Sequence, residues 1–149
     1  MAFATEVHAT KKYRLGTRKR DVAGNEFVYL KGVTNCANGS WVVYDELGVT
    51  TLMVTTSTGQ VAIARAAVDA STKYGWFQIY GSGQGLALTA FADNGTVNAT
   101  ATDGSVDDNS LTAAEIQVFG AWGRSAVNET TLLATFQISY PYKALQTLD

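Results

Sequence analysis

The two side chains that most often organise a reactive centre occur once each in this 149-residue sequence, His8 and Cys36. A serine or cysteine nucleophile needs an imidazole held at hydrogen-bond distance by a rigid shell. His8 falls in a leader expected to lie outside the core, so neither a Ser-His-Asp nor a Cys-His site is expected, and Cys36 is read as an inert core or loop thiol. One cysteine also leaves no internal disulfide and no thiolate metal cluster. The remaining candidates are weak by spacing. Gly81, Gly83 and Gly85 lack the six-residue spacing of a dinucleotide loop, a following helix and a P-loop lysine, and read as a turn between strands. Asp93, Asp103, Asp107 and Asp108 carry the oxygen ligands that calcium takes, but outside the EF-hand register, and a solvated acidic loop explains them more simply. Asp45 and Glu46 are adjacent carboxylates beside Gly48, where solvated turn acids are usual and a glycosidase pair has no defined separation. The expectation is therefore no catalytic residue, no metal and no cofactor.

Charge is more informative. Six of the eleven basic residues, Lys11, Lys12, Arg14, Arg18, Lys19 and Arg20, lie in the first twenty positions against one acid, Glu6, so the leader carries +5 and the remainder −7 of the net −2. A basic arm on an acidic body suits docking onto an acidic partner. A pI near 5.3 argues against nucleic acid, which needs positive charge spread over a folded face. The start of the chain has no basic region followed by an apolar stretch, so it does not read as a signal peptide, and no apolar run reaches the length of a membrane span. Synthesis and folding in a cytoplasm are expected. On that footing the Asn-X-Ser/Thr triplets at Asn38, Asn94, Asn98 and Asn128 are chance matches.

The elements that would position such residues are strands. One proline and fourteen glycines punctuate short runs rich in Val, Ile, Thr, Tyr, Phe and Trp, a pattern of strands and glycine turns. Strands are predicted over Glu26 to Lys31, Ser40 to Asp45, Thr50 to Thr55, Gln60 to Ala66, Tyr74 to Tyr80, Gly85 to Phe91, Val97 to Ala101, Ile116 to Trp122 and Thr130 to Ser139. Their spacing favours a single compact sandwich or barrel over a βαβ fold. Val61 to Ala70 is alanine-rich enough for a short helix, and Thr112 to Glu115 has the form of a capping box. Asn94-Gly95 and Asp103-Gly104 are hairpin signals. Tyr74 to Tyr80 carries large apolar residues on both faces, which places it either between two layers or in a subunit interface.

Four segments together resemble a family of small tailed-phage virion proteins: Tyr13 to Tyr29, Ser40 to Glu46, Ala66 to Gly81 and Ala99 to Asp108. The run Tyr74-Gly75-Trp76-Phe77-Gln78-Ile79-Tyr80-Gly81 is the most specific of them. The resemblance implies a head decoration or cement protein, a β-rich auxiliary subunit that assembles as a homotrimer on the outer face of the capsid. It implies no enzymatic activity, no nucleic-acid partner and no membrane. The expected fold is all-β, a compact sandwich or barrel (β-tulip-like) over residues 21–149, with an extended basic arm over residues 1–20.

On this reading the partner is the major capsid protein, met by Lys11, Lys12, Tyr13, Arg14, Arg18, Lys19 and Arg20, and the cationic side chains would make charge-assisted hydrogen bonds to shell carboxylates. Trp76, Phe77 and Tyr80 are the candidates for the trimer interface. The alternative is a carbohydrate- or host-binding module on the virion surface, with Trp41, Trp76 and Trp122 as the available stacking platforms.

Overall fold

The computed structural model describes residues 3–108 and 116–144. The chain is all-β, and among the described residues eleven strands join into one antiparallel sheet that folds back on itself. In chain order they are β1 (Val7–His8), β2 (Arg18–Arg20), β3 (Glu26–Lys31), β4 (Trp41–Tyr44), β5 (Thr50–Leu52), β6 (Gly59–Ala64), β7 (Tyr74–Leu86), β8 (Thr96–Ala99), β9 (Val106–Asp107), β10 (Gln117–Gly123) and β11 (Leu133–Lys143). A 3₁₀ turn over Phe3–Thr5 precedes them.

Side-chain alternation separates three apolar layers. Trp41 and Val43 of β4 and Val61 and Ile63 of β6 pack with Phe136 and Ile138 of β11, Val97 of β8 and Val118 of β10. The intervening residues Val42, Ala62 and Ala64 face the other way, against Val28 and Leu30 of β3 and Phe77 and Ile79 of β7. The outer faces of β3 and β7 then present Phe27, Tyr29 and Trp76, which Phe3 and Leu15 from the leader cover. Strands β3 and β4, β6 from Val61 onward and the first half of β7 are thus buried on both sides. This explains their lack of a polar face, since a strand between two layers has none to show water.

The longest strand departs most from expectation. Gly81 to Gly85 was expected as a turn and Gly85 to Phe91 as a separate strand; instead the chain runs unbroken as β7 from Tyr74 to Leu86. Its first half pairs with β3, and its second half pairs with β11 from Ser139↔Tyr80 to Leu133↔Leu86. The glycines serve a bend and close packing rather than a reversal. Gly81 has φ +105, and a Cβ on Gly85 would sit 2.8 Å from Trp41 Nε1. The Gln78 amide, buried behind the bend, donates to the carbonyls of Tyr80 and Ser82, each at 3.1 Å.

The alanine-rich stretch from Val61 resolves as strand, with β6 ending at Ala64. Asp103-Gly104 does close a hairpin, between β8 and β9. The capping-box residues Thr112 to Glu115 lie outside the described residues.

Candidate functional site

The leader lies against the body rather than extending from it. β1 pairs with the start of β7, Val7 opposite Gly75 and His8 opposite Tyr74, and β2 pairs with β3. Phe3 is buried, edge-on to both Phe27 and Trp76 with ring centroids 5.4 Å away. Tyr13 stands edge-on to Tyr29 at 5.2 Å and lies 5.5 Å from Trp76. His8, expected outside the core, is half-buried, with Nδ1 2.8 Å from the Tyr29 hydroxyl. The same hydroxyl accepts the Lys12 backbone N–H at 3.2 Å, and burial pushes the Tyr29 phenol above its usual range. The expected free arm is therefore corrected to a strap. The physical reason is that Phe27, Tyr29 and Trp76 form an apolar face on β3 and β7 which, uncovered, would meet water.

This packing divides the basic residues into two sets. Arg18 and Arg20 turn toward Glu26, whose side chain is 8% exposed; Arg20 Nε donates to Oε1 at 3.0 Å and Arg18 lies 3.4 Å from Oε2. The Tyr140 hydroxyl also donates to Glu26 Oε1, at 3.1 Å, and hydrogen bonding to Glu26 holds Arg20 above the ordinary arginine range. Lys19 reaches back over the Phe3 ring, with Nζ 4.4 Å from its centroid. Lys11, Lys12 and Arg14 are exposed and, among the described residues, make no ion pair. They flank Tyr13, itself 39% exposed. The strap therefore displays a short cationic ridge anchored from beneath by aromatic rings.

Trp76 and Phe77, expected at a trimer interface, are covered within the single chain, at 1% and 0% exposure. The intramolecular layers bury both, so neither is surface. Tyr80 is half-buried and packs on Tyr140 at 5.3 Å. Of the three tryptophans, Trp41 and Trp76 are core and Trp122 is 49% exposed. Large exposed aromatics also include Tyr140 and Tyr142 on β11, with Tyr142 stacked on Phe119 of β10 at 5.4 Å.

The other candidates resolve into structural roles. Cys36 is fully buried, and burial raises its thiol to about 11. Asp45 Oδ1 accepts the N–H groups of Leu47 and Val49, closing the turn between β4 and β5; together with Glu46, Arg18 and Tyr44 it lines a shallow depression of about 160 Å³. Asp108 accepts the Ala92 N–H. Among the described residues no three His, Cys, Asp or Glu side chains gather as metal ligands, and no helix is long and apolar enough to cross a membrane.

Two features went unread in the sequence. Lys143 is 1% exposed with Nζ donating to the carbonyls of Thr55 and Ser57 at 2.6 and 2.8 Å; no local pattern distinguishes it from a surface lysine. Phe3 and Leu15 are large apolar residues of the leader that pack on Phe27, Tyr29 and Trp76, and their presence in a basic segment is a usable signal of docking onto the body.

Compared with known proteins, the chain matches no family model, no curated protein and no solved structure.

Proposed function

We propose that the chain is a non-catalytic structural subunit of a tailed-phage head, a decoration or cement protein that binds the outer surface of the major capsid protein lattice and stabilises it. The resemblance of its segments to that family motivates the reading. The observation that carries it is the ridge of Lys11, Lys12 and Arg14 beside Tyr13, held on a packed strap and making no ion pair among the described residues. A cationic group already fixed in place loses less conformational entropy on docking than one on a free arm. Charge-assisted hydrogen bonds to shell carboxylates then give orientation, and many copies on one lattice convert modest single contacts into stable coverage.

The division of charge narrows the docking set. Arg18 and Arg20 are engaged by Glu26 inside the chain, so the proposal assigns shell contact to Lys11, Lys12, Tyr13 and Arg14, with Lys19 at the margin. Assembly as a homotrimer belongs to the same proposal. With Trp76 and Phe77 buried, its apolar surface would come from Tyr140 and Tyr142 beside Tyr80.

The test is co-sedimentation with undecorated heads of its own phage. Reversing the ridge charges together (Lys11→Glu, Lys12→Glu and Arg14→Glu) should abolish binding while leaving the thermal melt close to that of the parent chain. Undiminished binding by that variant would refute the docking role of the ridge. Binding should also weaken as salt rises, because exposed charge pairs are screened within about 10 Å at 0.1 M ionic strength.

A further inference from the structure

Strand pairing places Trp122 in the middle of a row that crosses four strands. Thr96 of β8 is opposite Trp122 of β10, Trp122 is opposite Gln137 of β11, and Gln137 is opposite Ser82 of β7. Directly paired residues share a face, and this face is the one turned away from the core that Val97, Ala121 and Phe136 fill. Thr135 and Ser139 of β11 and Gln84 of β7 extend it on either side of the row. Trp122 is 49% exposed and its neighbours are exposed or half-buried.

The chemistry of this face is distinctive. None of these side chains carries a charge; all but the indole are hydroxyls or primary amides, which both donate and accept hydrogen bonds. Two guanidinium groups lie at its margin, each hydrogen-bonded to a neutral acceptor: Arg124 Nη1 donates to Asn94 Oδ1 at 3.2 Å, and Arg65 Nη1 to the Gln84 carbonyl at 3.0 Å. A protein partner of ordinary surface composition would bring charges that find no counter-charge within the row, and an anionic ligand centred on it would meet only hydroxyls and amides. An uncharged polyhydroxyl ligand matches on both counts. Its hydroxyls can exchange hydrogen bonds with Thr96, Gln137, Ser82 and Thr135, and its apolar C–H face can lie on the indole, as amphipathic aromatic surfaces allow. The row spans roughly 14 Å at ordinary strand spacing, room for a short oligosaccharide.

We propose that the outer face of β7, β11, β10 and β8, centred on Trp122, is a binding site for neutral oligosaccharide. This goes beyond capsid docking and does not depend on it, since the ridge and the Trp122 face share no residue.

Trp41 and Trp76 are buried, so quenching of tryptophan fluorescence by acrylamide reports chiefly on Trp122. The full chain is titrated with maltohexaose, cellohexaose and chitohexaose into the millimolar range that a small open site implies. Protection from quenching by at least one of these probes, weakened about tenfold in Gln137→Ala, is the expected result; the calorimetric binding heat of the same probe, which needs no tryptophan reporter, should be lost in Trp122→Ala and partly retained in Trp122→Tyr. Circular dichroism checks that each variant is folded. Unprotected fluorescence with all three probes overturns the proposal. So does protection that rises with protein concentration alone and tracks a larger sedimentation coefficient, because Trp122 would then be covered by a second copy. Trp122→Ala should co-sediment with undecorated heads as the parent does, so failure of the sugar site and failure of capsid docking are read separately.

Discussion

Arg20 Nε donates to Glu26 Oε1 at 3.0 Å, from an arginine side chain 63% exposed to a carboxylate 8% exposed. The asymmetry of exposure decides what the pair contributes. Arg20 returns to water at little cost if the bond breaks, whereas Glu26 is desolvated and depends on its donors, Arg20, Arg18 and the Tyr140 hydroxyl. Glu26 also joins the strap strand β2 to β11 across the edge of β3. Glu26→Gln keeps shape and some hydrogen bonding but removes the charge that orients two guanidinium groups. It should lower the urea-unfolding free energy by about 1 kcal/mol and leave the strand signal in circular dichroism unchanged. Stability equal to the parent would show that the three donors contribute nothing net.

Phe3 ties the beginning of the chain to the body. Its ring sits between Phe27, Trp76 and the Lys19 ammonium and is 7% exposed. Phe3→Ala should cost about 3 kcal/mol, the ordinary range for removing a buried aromatic ring, and should raise hydrogen exchange in β1 and β2 before the rest of the sheet. Deleting residues 1–20 should go further and uncover Tyr29 and Trp76, detected as binding of a hydrophobic dye. A truncated protein with parental stability would return the strap to the status of a free arm.

How far the sequence revealed this molecule depends on the range of the interactions involved. β3 was predicted with its observed limits, because Glu26 to Lys31 is bounded by turn residues and rich in β-formers. Within Thr130 to Ser139, Ala134, Phe136 and Ile138 alternate onto one buried face, whereas Leu132, of the same parity, has φ +58, precedes β11 and is 37% exposed. The glycines of β7 misled because a glycine that bends a strand and one that reverses it look alike locally; the distinction lies in Trp41 and Gln78, distant or out of register in sequence. The strap was misread for the same reason, its partners Phe27, Tyr29 and Trp76 lying up to some seventy positions away along the chain. Among the site residues, the basic cluster was legible from composition, whereas its division by Glu26 needed three-dimensional pairing. Trp122 could not be told from Trp41 or Trp76 by residue type.

The tryptophans give a sharp contrast in stability. Trp41 is fully buried, edge-on to Phe136 at 5.0 Å, with Nε1 donating to the Leu86 carbonyl at 3.1 Å. Trp41→Ala removes the largest side chain of the inner layer and leaves that carbonyl without its donor, a loss of about 3–5 kcal/mol. Trp122→Ala, at an exposed position, should stay within about 0.5 kcal/mol of the parent. Chemical denaturation of the two variants side by side checks the pair, and a severe loss for Trp122→Ala would mean that its indole is structural.

Cys36 sets the alkaline limb of the stability profile. Burial raises its thiol from 9.0 to about 11, because the thiolate has no water around it in the folded chain. Below pH 9 both folded and unfolded chains hold the proton and the group contributes no pH dependence. Between pH 9 and pH 11 the unfolded chain releases the proton while the folded chain keeps it, so stability falls as pH rises, by about 2–3 kcal/mol in all from this group. Tyr29 and Tyr44, whose phenols burial also raises, tilt the profile in the same direction. Cys36→Ala should therefore flatten the fall between pH 9 and pH 11 without abolishing it, measured by urea midpoints across that range. In the native parent the thiol should react with a disulfide reagent at pH 8 only as fast as the chain opens. Identical alkaline limbs for parent and variant, or rapid labelling of the native chain, would place the thiol in contact with solvent.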